Sequence, residues 1–461
     1  MHRLVFPLKL LAALALTFPA MPIHKAKAED RPNIVFIMAD DLGYGDLGCY
    51  GQKEIQTPNI DSLAEQGMRF TQCYAGSPVC APSRSVLMTG QHTGHTRIRG
   101  NTGKGGVLGI GGKPGRVPLE ESDVTVAEIL KTAGYKTGMS GKWGLGEPVT
   151  SVLPNDQGFD FWFGFLNQRR AHSHYPDHLW LNRQQFDLPG NSNGHQHQYA
   201  HDLMTGFAMH FIREQVAERP QQPFFLYVPY TVPHANFEVP DLGAYADKPW
   251  TDDEKAYAAM ITRMDGDVGR LLQLLDELSI ADNTVVFFCS DNGSADRYDG
   301  TFDSSGPLRG RKRDMYEGGI RTPMVVRWRG KITADSVSDV PWMFADFLPT
   351  AAGLAQCEVP DGFTIDGKSI APTLLGKEQP DLADRFFYWE FFEKGYQQAS
   401  RWHDWKAIRL QPGKPLLLFD LAKDIGEQND VAAQNPDVVA TFEAFLATAR
   451  TESQAWPLPE R

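Results

Sequence analysis

The sequence predicts an α/β protein with a mostly parallel sheet flanked by helices, followed by a smaller C-terminal α+β unit containing an antiparallel sheet. Three observations predict it. Short apolar runs of buried-strand type alternate with helical stretches, the pattern of a parallel sheet covered by helices. The helical stretches carry recognisable start and stop signals. After about residue 360 the strands become closely spaced and are separated only by polar turns.

Asn33–Met38 (NIVFIM) is the first buried strand expected, and Tyr135–Ser140, Phe224–Pro229 and Thr284–Cys289 (TVVFFC) are the next. Thr125–Ala133 reads as a helix ending at Gly134, a residue suited to the left-handed C′ position. Thr251-Asp252-Asp253-Glu254 has the form of a capping box and opens a helix towards Leu278. Ile261, Met264, Val268, Leu271, Leu272 and Leu275 give that helix one apolar face. Phe386–Phe391, Trp405–Leu410 and Leu416–Leu421 read as an antiparallel meander, and Val438–Arg450 as a closing amphipathic helix. The expected organisation is a leader over 1–28, a main domain over 29–360 and a C-terminal subdomain over 361–461.

Met1-His2-Arg3, an apolar run from Leu10 to Phe18 and the A-x-A site Ala26-Lys27-Ala28 have the form of a cleavable export signal. The run is too short to span a bilayer, so the mature chain is expected to be exported, periplasmic or extracellular, without a membrane anchor. Cleavage would remove Arg3, Lys9, Lys25 and Lys27 and no acid, taking the formal charge from −12 to −16, with 41 basic against 57 acidic residues. Such a chain has no general attraction for nucleic acid, and an anionic substrate must be held by local cations. The five cysteines are an odd number, which leaves at least one thiol or modified residue outside any disulfide.

In open α/β sheets ligands bind beyond the carboxyl ends of the strands. NIVFIM is followed by Ala39-Asp40-Asp41-Leu42-Gly43, and TVVFFC by Ser290-Asp291-Asn292-Gly293. Carboxylates gathered at adjacent strand ends repel unless a cation sits among them, and all-oxygen ligation favours a hard ion such as Ca²⁺ or Mg²⁺. Tyr135–Ser140 leads into Gly141-Lys142-Trp143, and Phe224–Pro229 into Tyr230-Thr231-Val232-Pro233-His234. A metal, a lysine and a histidine at one rim suit an oxyanion. In Cys80-Ala81-Pro82-Ser83-Arg84-Ser85-Val86-Leu87-Met88-Thr89-Gly90, Pro82 fits the first helical position, placing Cys80 just ahead of a helix N-terminus with Arg84 as a fixed positive group.

This segment resembles the C-x-P-S-R-x-x-x-x-T-G signature of the type I sulfatases, in which the cysteine is converted to formylglycine. Its companions stand in the expected order: Asp40-Asp41, Gly134–Gly138 leading into Gly141-Lys142-Trp143, Pro233-His234, Asp291-Asn292-Gly293, and Lys312 ahead of Tyr316-Glu317-Gly318-Gly319. The resemblance spans residues 31–350 by motif. Beyond them it fits in outline, through Leu418-Phe419-Asp420-Leu421 and the acidic turn that follows. It implies the alkaline phosphatase superfamily fold, a large mixed, mostly parallel sheet with a smaller C-terminal sheet.

Carried over residue by residue, it implies that Asp40, Asp41, Asp291, Asn292 and the modified Cys80 ligate one Ca²⁺. The hydrated aldehyde at position 80, made more acidic by the cation and Arg84, would attack sulfur. Lys142 and Lys312 would bind the sulfate oxygens, and His234, alone or with Lys312, would protonate the leaving oxygen. A formylglycine-generating or sulfatase-maturing enzyme is the implied partner. Many sulfatases carry histidine two residues after the lysine; here that position is Gly144. His172 or His174, from the loop Asn167–Pro176, is the expected replacement. That loop, including Arg169, resembles substrate-binding loops of exported bacterial sulfatases acting on sulfated polysaccharides, some of them galactose-type, and Trp162, Tyr175 and Trp180 are the aromatic flanks a sugar would stack on. Two other readings are a phosphomonoester or phosphonate-ester hydrolase of the same superfamily and a non-catalytic sulfated-glycan-binding relative.

Overall fold

A computed structural model describes residues 31–108, 115–148, 152–295, 300–360, 362–382 and 384–459. The export-signal expectation lies outside these residues. The main sheet has 11 strands: β1 (Asn33–Ala39), β2 (Met68–Tyr74), β3 (Lys136–Lys142), β4 (Phe161–Phe165), β5 (His178–Leu181), β6 (Gln184–Asp187), β7 (Phe224–Pro229), β8 (Thr284–Ser290), β9 (Arg321–Arg327), β10 (Ser336–Ser338) and β11 (Trp342–Met343). Their order is β10-β2-β9-β8-β1-β7-β3-β4-β5-β6, with β11 also paired to β2. β8, β1, β7, β3 and β4 run parallel, whereas β9 lies antiparallel between β8 and β2 and β5 turns back on β4. The sheet is therefore mixed around a parallel centre.

Nine helices accompany it among the described residues: α1 (Pro58–Glu65), α2 (Cys80–Thr89), α3 (Val126–Thr132), α4 (Ala200–Glu218), α5 (Asp252–Glu277), α6 (Glu317–Ile320), α7 (Phe347–Leu354), α8 (Ala371–Leu374) and α9 (Pro436–Leu446). Side chains on a strand alternate between faces, and β1 shows why a fully apolar strand belongs at the centre. Ile34, Phe36 and Met38 join the core layer beneath α2, α3 and α7, while Val35, Ile37 and Ala39 join the opposite layer beneath α1, α4 and α5. Both predicted helix signals are present. Thr251 and Glu254 form a reciprocal capping box at the start of α5, and Gly134 takes a φ of 83° after α3. α2 differs in detail: Val79 is its N-cap and Cys80 its first residue, so Pro82 sits third instead of first. Proline is tolerated there because the first-turn N–H groups have no intrahelical partner anyway.

The C-terminal sheet is an antiparallel meander of β12 (Phe386–Phe391), β13 (Gln397–Trp402), β14 (Trp405–Arg409) and β15 (Leu417–Asp420). β13 (QQASRW) was not expected as a strand, because its polar residues hide its alternation. Phe387, Trp389, Ile408 and Phe419 pack into the main core, while Tyr388, Ala407 and Leu418 face Phe442 and Leu446 of α9. No helix among the described residues is long and apolar enough to cross a membrane.

A buried ion-pair network binds this sheet to the large one. Lys406 Nζ on β14 lies 2.9 Å from both Glu317 Oε1 and Glu427 Oε1. Glu317 Oε2 accepts from Tyr74 Oη at 2.7 Å and pairs with Arg321 Nη1 at 3.1 Å, and Arg401 of β13 bonds Tyr74 Oη at 2.5 Å. Removing one partner of a buried network strands the charges that remain. Lys406→Ala should therefore lower the unfolding free energy by about 3–5 kcal/mol, read from urea midpoints against wild type; a loss below about 1 kcal/mol would show the network to be solvated in solution.

Candidate active site

The register of the central strands builds the site. β1 and β8 pair Ala39 with Ser290, so the next residues of each strand, Asp40 and Asp291, emerge side by side. β7 pairs Pro229 with Met38 on the other flank of β1 and leads to His234, and β3, next to β7, ends at Lys142. α2 points its first residue at the same spot. Cys80 Sγ lies 3.3 Å from Asp40 Oδ1, 3.9 Å from Asp41 Oδ1 and 3.5 Å from Lys312 Nζ.

Three buried carboxylates meet here, surrounded by three cationic side chains and by His234, whose imidazole burial holds below its ordinary pKa. Lys142 Nζ is 2.6 Å from Asp40 Oδ2, and Lys312 Nζ is 2.6 Å from Asp41 Oδ2. Arg84 spans the other pair, with Nη2 2.8 Å from Asp291 Oδ2 and 3.4 Å from Asp40 Oδ2, while its Nη1 donates to the Lys142 carbonyl at 2.9 Å. His234 Nε2 stands 3.5 Å from Asp41 Oδ2. Burial alone would raise the Asp40 carboxyl, but Lys142, His234, Arg84 and Lys312 hold it well below its ordinary range. Asp291 is pushed up instead, by burial and by the Asp40 charge. Burial and the charges of Asp291 and Asp40 also raise the Cys80 thiol, which among these groups stays protonated and is a poor nucleophile as plain cysteine.

The donor set fits a hard divalent ion. Asp40, Asp41 and Asp291 offer carboxylate oxygens, and the amide of Asn292 is oriented by donating from Nδ2 to Asp41 Oδ1 at 2.7 Å. Asn292 Oδ1 is buried without a hydrogen-bond partner among the described residues. An orphaned buried oxygen beside three carboxylates is costly unless a cation takes it.

The expected loop residues separate. His172 lies with its ring centroid 4.4 Å from that of His234, while its residue remains solvent-exposed. His174 is fully buried and does not face the pocket: its Nε2 is 2.9 Å from the His234 carbonyl oxygen and its Nδ1 is 3.4 Å from Thr231 Oγ1, so it braces the His234 backbone. Arg169 is exposed on the same loop. Trp162 is wholly buried in the main core, so it offers no surface for a sugar, and Tyr175 packs on Tyr199 at 5.2 Å. At Gly144 (φ 73°), an added Cβ would meet Gln168 Nε2 at 2.8 Å, so the Gln168 amide takes up the space beside the glycine. Gln168 and Arg116, near the site, carried no motif to flag them. All five cysteines are free thiols.

A family model described as Sulfatase matches residues 32–357, and one described as N-sulphoglucosamine sulphohydrolase, C-terminal, matches residues 310–451. Human arylsulfatase A is 34% identical, covering 88% of this chain and 85% of its own length. N-acetylgalactosamine-6-sulfatase of Canis lupus familiaris is 34% identical, covering 90% and 84%. The crystal structure of Ps i-CgsB in complex with k-i-k-neocarrahexaose superposes with a TM-score of 0.80 at 29% identity, covering 93% of this chain and 95% of that one.

The turn that presents Asp41, itself at φ 66°, is closed by Asp46, whose Oδ2 accepts from Gly43 N at 2.7 Å and from Tyr257 Oη at 2.6 Å. Burial pushes the Asp46 carboxyl from an ordinary 3.8 up to about 6. The folded chain thus favours the protonated acid, so this residue's contribution is fullest below pH 3.8 and is lost as pH rises through 6. Asp46→Asn should remove that loss, narrowing the difference in unfolding free energy between the two pH values, read from urea titrations, by up to about 3 kcal/mol. Parallel pH profiles for variant and wild type would contradict it.

Proposed function

The chain belongs to the sulfatase family and is a sulfuric ester hydrolase, and we propose that the esters it cleaves are carried on carbohydrates, galactose-type sugars first among them. The observation that carries the reading is Cys80 at the head of α2, set among Lys142, Lys312, Arg84 and three carboxylates. The names of its relatives, which specify an N-acetylgalactosamine sulfatase and a protein bound to a neocarrahexaose, support the choice of saccharides.

Asp40, Asp41, Asp291 and Asn292, with the residue at position 80, would hold one Ca²⁺, which when bound would neutralise the carboxylates and polarise the sulfate. A formylglycine made from Cys80 by a maturing enzyme would supply, as its hydrate, the hydroxyl that attacks sulfur. The remaining work falls to this chain's own side chains. Lys142 and Lys312 exchange their carboxylate contacts for sulfate oxygens and offset the charge that grows as the sulfur–oxygen bond breaks. Arg84, buried and tied to Asp291 and the Lys142 carbonyl, keeps the anion cradle in place. His234 Nδ1 donates to the Ala235 carbonyl at 2.5 Å, so Nε2 is the position from which the ring, when protonated, delivers a proton to the leaving sugar oxygen. Burial lowers the imidazole below its ordinary range, which makes it the readier donor. His172, packed on the His234 ring, takes the place of the histidine missing at Gly144. Residues 1–28 act as an export signal, delivering the mature chain to the periplasm or exterior, with 29–360 as catalytic domain and 361–461 as its C-terminal partner.

The test is sulfate release from a panel of sulfated sugars by protein co-expressed with a maturing enzyme, with Cys80→Ala as control and a phosphate ester of one of the same sugars alongside. Release from a sugar sulfate by the wild type alone is expected; turnover of the phosphate ester only would overturn the reading. His234→Ala should lower kcat on a sugar sulfate by about 100- to 10,000-fold, and much less on an aryl sulfate whose phenolate leaves unaided. Equal losses on both would remove its role as acid. His172→Ala should lose turnover while keeping Ca²⁺ binding, and unchanged kinetics would return the residue to the surface loop.

A further inference from the structure

A small cleft opens beside the head of α2, lined in part by Ala81, Asn101, Arg116, Gly144 and Glu147. Ala81 follows Cys80 and Gly144 stands two residues beyond Lys142, so the cleft shares a wall with the reaction centre. Asn101 is fixed to that wall: its Oδ1 accepts from Ala81 N at 3.4 Å, and its carbonyl accepts from Arg116 Nη1 at 2.7 Å. The Arg116 guanidinium is thereby held at the cleft with its side chain 24% exposed. Exposed Arg169 is tied to the same wall: its backbone N–H donates to Asn167 Oδ1 at 2.7 Å, and Asn167 Nδ2 donates to Glu147 of the cleft.

The acidic groups near Arg116 are shared with other donors. Glu147 Oε1 is 3.8 Å from Arg116 Nε, but the same carboxylate accepts from Asn167 Nδ2. Glu393 accepts from Asn101 N at 3.2 Å and pairs with Arg313 Nε at 3.3 Å. Neither carboxylate forms a bidentate pair with Arg116 among the described residues, although a guanidinium carries five N–H donors in a planar fork suited to a carboxylate or sulfate. The chain as a whole is acidic, at −12, so an anion at this wall is attracted by these arginines against the overall field.

Resting on the carbohydrate sulfatase reading above, we infer that Arg116 and Arg169 form a second anion subsite. It binds a further negative group of the same saccharide, a second sulfate ester or a carboxylate, while the scissile sulfate lies between Lys142 and Lys312. The preferred substrate class is thus a multiply anionic saccharide, and the subsite sets which sulfated sugars are chosen.

The experiment compares three substrates sharing one scissile sulfate: a monosulfated neutral disaccharide, its disulfated form, and a form carrying a uronic acid. For the matured wild type, kcat/KM should be higher for at least one dianionic form than for the neutral one. In Arg116→Gln and Arg169→Gln that ratio should fall about tenfold or more, through KM, the size expected for losing a charge-assisted hydrogen bond. The form whose advantage collapses names the second group. Arg116→Lys should recover part of the ratio, because charge returns without the fork. Added salt should shrink the wild-type ratio, a readout that survives if a variant fails to fold. A wild-type ratio near one, or a ratio untouched by both substitutions and by salt, overturns the subsite. No sulfate release from any of the three by the wild type would instead strike the sulfatase reading beneath it.

Discussion

Everything at this site follows from three carboxylates buried at the ends of neighbouring strands. Asp40 and Asp41 leave β1, and Asp291 leaves β8 one register step away, so parallel pairing brings like charges together where water cannot separate them. Such a cluster is tolerable only if the rest of the fold brings positive charge to the same rim. β3 supplies Lys142, α2 carries Arg84, and the segment before α6 supplies Lys312, while β7 leads to His234 beside them. The topology places each of these around β1. The orphaned Asn292 oxygen marks what the side chains alone leave unsatisfied.

The same arrangement accounts for how the site treats anions. Its lysines rest on carboxylates at 2.6 Å, which orients them and keeps the pocket from presenting bare positive charge within an acidic chain. A sulfate group bearing its own oxygens can replace those contacts, whereas a neutral sugar cannot. Recognition at the reacting group is therefore a matter of local charge exchange. The choice among sulfated sugars, on the reading proposed here, would fall to residues around the mouth, Arg169 and Arg116 among them.

Much of this was legible in the sequence. The parallel centre showed itself because β1, β7 and β8 are buried on both faces and so read as unbroken apolar runs, and α5 announced its start through Thr251 and Glu254. The metal-ligand candidates were legible because they follow those runs directly. β13 was not, since its Gln and Arg side chains are buried through hydrogen bonds that only the tertiary fold supplies. His174 and Trp162 show the opposite error. Residue type suggested a pocket, but Trp162 lies on β4 with its face turned into the core, and the local sequence of the loop does not say that His174 turns inward. Gln168 was invisible because filling space beside Gly144 is a property of two distant segments, not of either alone.

The most direct test is calorimetric titration of chelator-treated protein with Ca²⁺, alongside Asp291→Asn, with the thermal midpoint followed in parallel. Saturable uptake of a single ion by the wild type, with a rise in midpoint that the variant loses, is the expected result, because the cation replaces repulsion among the three carboxylates. Absence of uptake, with a midpoint indifferent to Ca²⁺ and chelator, would mean that Lys142, Lys312 and Arg84 balance the cluster unaided, and would contradict a cation-held centre.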